Sequence, residues 1–148
     1  MGGGGVSKFA QKSEPHRRTR RDHATETAED YVEAIAEIVA AQGACRLKDL
    51  ASRFAVSHVT AHRIVERLHS EGLVTTEPYQ PVGLTARGRS LAARCRRRHE
   101  TVYRFLLAIG VDPATAAIDA EGIEHHVSGR TIKCLQQFTR SKGDGGNF

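Results

Sequence analysis

Residues 47–85 read LKDLASRFAVSHVTAHRIVERLHSEGLVTTEPYQPVGLT, and this stretch decides the fold. Leu47, Leu50, Ala51 and Phe54 share one face of a short helix over 47–54. Ala55-Val56-Ser57 breaks it, and Ser57 is suited to cap a second helix over 58–70. Val59, Ile64, Val65 and Leu68 are the residues this second helix is expected to bury, and Gly72 stops it. Leu73–Thr76 and Val82–Thr85 read as two short strands, and the Glu77-Pro78-Tyr79-Gln80-Pro81 segment between them is a turn or wing tip. Two helices across a tight turn, then a hairpin, make a winged helix-turn-helix. In that unit the second helix lies in the major groove with its N-terminal residues at base edges. Ser57, His58, Thr60, Ala61, His62 and Arg63 are therefore the expected DNA-facing residues, with Arg63 and Arg67, one turn apart, expected to flank the phosphate backbone.

Working outward, Val32, Ile35, Ile38 and Val39 predict a helix over 27–41, closed by Gly43. Downstream, a long helix is expected from Ala86 to Ile109, with an apolar stripe of Leu91, Val102, Phe105, Leu106 and Ile109. Asp112 and Pro113 open a helix over 113–126, and Ser128 caps a last one reaching about Thr139. Residues 1–27 hold six of the 22 lysines and arginines and are rich in glycine, which reads as a flexible basic arm. The final SKGDGGNF reads as a frayed tail.

The 148-residue length suits one compact domain or two small subdomains sharing a core. With 5% aromatic residues and no tryptophan, the core must rest on Leu, Ile, Val and Ala. A formal charge of +5 fits a nucleic-acid partner. Cys45, Cys95 and Cys134 are scattered and form no C-x-x-C pair, so reduced thiols in a cytoplasmic protein are expected rather than a disulfide framework or zinc ribbon. No apolar run approaches a membrane span, and the N-terminus lacks the apolar core of a secretory signal.

Two patches are chemically expensive. Asp30 and Glu33 stand at i, i+3 on one helical face, and Glu121, Glu124 and His125 stand at i, i+3, i+4 on another. Like charges at that spacing repel by a few tenths of a kcal/mol when exposed and by far more when buried together without a cation. Four carboxylates are neutralised by two divalent ions, although one ion with leftover exposed carboxylates is also consistent with the count. His99, at the middle of the long helix, is placed to add a nitrogen ligand. Oxygen donors with one or two imidazoles suit manganese(II) or iron(II). His126 is read as structural or as a partner behind the ligands.

These residues resemble a known family. E-D-Y-V-E at 29–33, R-H-E at 98–100, F-L-L-A-I-G-V at 105–111 and D-A-E-G-I-E-H-H-V at 119–127 are similar to the manganese transport regulators (MntR), a branch of the diphtheria toxin repressor family. The resemblance spans about three quarters of the chain and implies metal ligands at Asp30, Glu33, His99, Glu121, Glu124 and His125. Iron-responsive relatives carry Met at the position of Asp30 and Cys at that of Glu121, so the oxygen donors here point to manganese. The resemblance further implies a homodimer built by the helices after the wing. It also implies repression of manganese-uptake genes when metal is plentiful, by binding a double-stranded DNA operator.

The resulting expectation is a mostly α protein with a small β-wing. Residues 28–88 form the winged helix-turn-helix, 89–140 a helical dimerisation and metal-binding domain, with the arm at 1–27 and a flexible tail at 141–148. Metal binding is expected to promote operator binding, with Mn2+ at two ions per subunit, no membrane association and no small-molecule substrate. An iron-responsive regulator of the same family is the alternative. A di-metal carboxylate enzyme is disfavoured, because neither Glu121 nor Glu124 is followed by His at i+3 and H-E-x-x-H is absent.

Overall fold

The computed structural model describes the backbone of residues 8–144 and the side chains of residues 20–143. Eight elements follow in order: α1 (Lys8–Gln42), α2 (Leu47–Phe54), α3 (His58–Ser70), β1 (Val74–Thr75), β2 (Gly83–Leu84), α4 (Ala86–Ala108), α5 (Pro113–Ile123) and α6 (Gly129–Asp144).

The helix-turn-helix forms as its caps dictate. Ser57 Oγ accepts the Thr60 amide at 3.1 Å and sets the start of α3. The chain leaves α3 through Gly72 at φ +74°, in the left-handed region. The wing pairs β1 with β2 antiparallel, Val74 opposite Leu84 and Thr75 opposite Gly83. Val82 N donates to Cys45 O at 2.8 Å, which anchors the hairpin to the segment before α2. Tyr79 stands at the wing tip, almost wholly exposed.

Two cores divide the described residues. The first gathers Tyr31, Val32 and Ile35 of α1 with Leu50, Val65, Leu68, Val74, Val82 and Ala92. Tyr31 stacks on Phe54, ring centroids 4.2 Å apart, which ties α1 to α2. The second core joins Val102 and Leu106 of α4 to Ala116 and Ala120 of α5 and Ile132 of α6. Because α4 contributes to both cores and packs along α1, it is the beam connecting the two halves.

Several expectations are corrected. The first helix begins at Lys8, well before residue 27, so the segment read as a flexible arm is helical from Lys8 onward; residues 1–7 lie outside the described residues. Thr27 Oγ1 donates to His23 O at 2.9 Å, an i to i−4 bond across the expected boundary. Arg67 reaches back to the Ala24 carbonyl at 3.1 Å and pins this part of α1. Charge density suggested disorder there, but Ala, Gln, Lys, Glu and Arg are also good helix formers. At the other end α6 extends to Asp144, past the expected start of a tail at 141; residues 145–148 lie outside the described residues. Helix α5 stops at Ile123, and Glu124, His125 and His126 occupy a turn. Val59 is exposed rather than buried, since it lies on the outer face of α3. Among the described residues, no helix is long and apolar enough to cross a membrane.

Candidate metal centre and nucleic-acid interface

The turn after α5 delivers Glu124 and His125 against α1 and α4. His125 is almost fully enclosed, its side chain only 3% exposed. Its Nδ1 lies 2.6 Å from Glu29 Oε2 and its Nε2 lies 3.0 Å from Asp30 Oδ1. A carboxylate on one ring nitrogen fixes the ring and aims the other nitrogen, the arrangement that metal-binding imidazoles favour. Glu124 is 1% exposed and divides its two oxygens between neighbours. Oε1 is 3.4 Å from His125 Nε2, and Oε2 is 3.6 Å from His99 Nδ1. Glu121 Oε1 approaches the same His99 nitrogen at 3.6 Å. Glu33 lines a hollow with Asp30 and Glu121 on one side and with His99 and Glu121 on the other. The structure therefore brings together all the ligand candidates of the sequence, Asp30, Glu33, His99, Glu121, Glu124 and His125, which come from α1, α4, α5 and the turn.

Two sets of donor atoms emerge, Glu26–Asp30–His125 and His99–Glu121–Glu124, each with its ligand atoms within 4.8 Å of one another. Glu124 touches both sets, because its second oxygen faces His125. The electrostatics are unresolved by protein partners alone. Both oxygens of Glu124, Oε1 of Glu33 and Nδ1 of His99 are buried without a hydrogen-bond partner. Such groups are costly unless something satisfies them. Burial, then the neighbouring Glu33, pushes the Glu124 carboxyl up to about 8. Burial and Glu121 push Glu33 up to about 7. Hydrogen bonds to Asp30 and Glu29 raise His125 to about 10. A divalent cation reverses each of these tendencies, since it demands ionised carboxylates and a neutral imidazole. The donor set of oxygens and imidazole nitrogens is hard, and no sulfur stands among these donors.

Three residues of this neighbourhood escaped the sequence reading. Glu29 orients His125, and Glu26 joins the Asp30–His125 set while facing His126 Nε2 at 3.5 Å. Arg98 donates to the carbonyls of Glu124 and Val127 and so clamps the turn.

On α3, the DNA-facing candidates separate into two groups. Ser57, His58, Thr60, His62 and Arg63 are exposed at the outer face. Ala61 is completely buried and Arg67 is engaged with Ala24 and Glu71, so neither presents a free group outward. A groove between α3 and the wing is lined by Arg46, Lys48, His58, His62, Tyr79 and Gln80. Arg46 and Lys48, before and within α2, add basic charge that the sequence reading did not weigh. Of the apolar stripe expected along α4, Val102 and Leu106 are consumed in the second core, while Ile109 stays exposed, as do Leu107, Ile118 and Phe138.

Comparison with known proteins gives two family matches. Residues 23–82 match the family described as iron dependent repressor, N-terminal DNA binding domain. Residues 85–141 match iron dependent repressor, metal binding and dimerisation domain. The transcriptional regulator MntR of Escherichia coli O157:H7 is 42% identical over 130 residues, covering 88% of this chain and 84% of that protein. The HTH-type transcriptional regulator MntR of Bacillus subtilis is 35% identical over 108 residues, 73% of this chain and 76% of that one. Among solved structures, a manganese-dependent transcriptional repressor in complex with manganese superposes with a TM-score of 0.65 at 32% identity, covering 76% of this chain and 52% of that chain.

Proposed function

Starting from the fact that the chain belongs to the iron-dependent repressor family of DNA-binding regulators, we propose that it is a manganese(II)-responsive repressor of manganese-uptake genes acting in the cytoplasm. The family is one of transcriptional regulators, so the di-metal enzyme reading falls away. The observation that carries the manganese reading is Glu124, buried between His99 and His125 with neither oxygen in a hydrogen bond. A carboxylate left in that state would be stabilised by a divalent cation. Asp30, Glu33, His99, Glu121, Glu124 and His125 would hold it, at two ions per subunit, each supplying positive charge where the carboxylates crowd. Oxygen at Asp30 and Glu121, where sulfur donors would suit softer metals, favours manganese.

Residues 28–88 serve as the DNA-binding unit and 89–140 as the metal-binding and dimerisation unit. The residues that would hold the metal lie on α1, packed on the helix-turn-helix, on α4, on α5 and on the turn after it, so a bound metal would tie these elements together. Such a tie would narrow the motion of α3 relative to the dimer partner and so favour operator binding, with metal and DNA affinities reciprocally coupled. His58, Thr60 and His62 read the major groove, and Ser57 and Arg63 meet the phosphates.

The experiment is an electrophoretic mobility assay. Genomic fragments enriched by the protein in manganese and iron(II) together, under anaerobic conditions, are challenged with manganese alone, with iron(II) alone, or with chelator. Retention with manganese and release by chelator is expected. Equal retention under all three conditions removes metal control from the protein, and retention with iron alone assigns it to the iron-responsive reading.

A further inference from the structure

The six residues read as ligands leave the donor supply thin. Manganese(II) favours about six oxygen or nitrogen donors per ion. Divided between the two donor sets, six residues provide few donors for each, and Glu121 is largely exposed to solvent. The Asp30–His125 side is the poorer. Of the candidates, His99, Glu121 and Glu124 already cluster on the other side.

Glu26 fills that gap. It lies one turn before Asp30 on α1, so the i, i+4 geometry stacks the two carboxylates on the same helical face. A carboxylate oxygen of Glu26, one of Asp30 and a ring nitrogen of His125 lie within 4.8 Å of one another. Glu29, by contrast, is on the wrong side of the imidazole: it is bonded to Nδ1, while Nε2 faces Asp30. A second observation points to a ligand here. Glu124, 1% exposed, turns Oε1, which is in no hydrogen bond, toward His125 Nε2 at 3.4 Å, into the same set. His126 Nε2, 3.5 Å from Glu26 Oε2, holds the carboxylate from its outer side.

We propose that Glu26 is a seventh metal ligand, completing the coordination of the ion held by Asp30 and His125. The inference rests on the manganese-binding reading above and adds a residue to it. It gives the part of α1 N-terminal to Asp30 a function: with Glu26 and Asp30 both bound, this side of the metal centre would hold α1 to the turn after α5 at two successive turns of the helix rather than at one.

The test is manganese binding to the full chain, with the ions counted by electron paramagnetic resonance and the inner-sphere water on bound manganese read by water-proton relaxation. Wild-type protein, Glu26→Ala and Glu121→Ala are compared. Glu26→Ala is expected to weaken one ion about 10–100-fold, as removal of groups that set metal ligation does, and to leave the other unchanged. Its bound manganese at saturation should carry additional inner-sphere water. Glu121→Ala should weaken the other ion instead. Wild-type counts, affinities and relaxation in Glu26→Ala overturn the assignment while leaving the manganese reading intact. A weaker ion with unchanged relaxation also overturns it, since the carboxylate then acts only through its charge. If the wild-type protein binds no manganese, both readings fall together.

Discussion

Arg98 donates through Nε and Nη2 to the carbonyl oxygen of Glu124, at 3.1 and 2.7 Å. The residue beside His99 on α4 thus holds the turn that carries Glu124 and His125. A planar guanidinium spans the carbonyls of Glu124 and Val127 together, and the single ammonium of a lysine does not reproduce that fork. Arg98→Lys is therefore expected to weaken manganese binding about 10–100-fold, the scale for groups that position ligands. Calorimetric titration measures it. Wild-type affinity in this variant would mean that the turn needs no clamp.

The pH dependence of the metal-free protein follows from three groups. Glu33 and Glu124 are raised from 4.5 to about 7 and about 8, and His125 from 6.5 to about 10. A folded-state value above the unfolded one means that the native state binds more protons in between, so stability falls as pH rises through that interval. The glutamates impose the loss from about pH 4.5 to 8 and His125 from about 6.5 to 10. In chelator, the thermal midpoint should fall steadily across this range, and Glu124→Gln should flatten its lower part. Manganese replaces the protons, so its stabilisation should grow with pH. Circular-dichroism melts with and without metal decide, and a midpoint in chelator that rises over the same range contradicts the account.

Gly88 shows how tightly the wing is seated on α4. A Cβ there would stand 2.0 Å from the carbonyl oxygen of Leu73, a backbone atom with no freedom to yield. Gly88→Ala must displace α4 from the strand segment, at about 1–3 kcal/mol or more for overpacking. Denaturant unfolding should show a lower midpoint. A midpoint equal to that of the wild type would require the hairpin to shift without loss.

What the sequence made legible was local. The limits of α2 and α3 follow from the apolar spacing and the Ser57 cap, both contained within a few residues. The ligand candidates were legible because i, i+3 and i, i+4 carboxylates advertise their conflict. Glu26 was not, because placing the helix start at Thr27 removed it from the face it shares with Asp30. The pairing of Glu29 with His125 joins residues 96 apart in sequence, and no local pattern reports it. Arg98 binds backbone carbonyls, whose positions depend on the turn rather than on residue type. Val59 and Ala61 show the same limit on α3: both are small and apolar, yet one faces the solvent and the other the core.

Arg63 and Arg67 stand one turn apart on α3 yet should fail in different ways. Arg63 is exposed beside His62, whereas Arg67 donates to the Ala24 carbonyl and faces Glu71. A side chain that contacts phosphate releases counterions, and its loss lowers the salt dependence of DNA binding by about one unit of slope. Arg63→Ala should therefore bind manganese normally, melt normally, and show weaker DNA binding with the shallower slope. Arg67→Ala should keep the wild-type slope and lose about 1 kcal/mol of stability, because its hydrogen bond to α1 is intramolecular. Binding isotherms at several salt concentrations, beside a denaturant titration, separate the two. A reduced slope in Arg67→Ala, with unfolding unchanged, would return that residue to the DNA surface and detach it from α1.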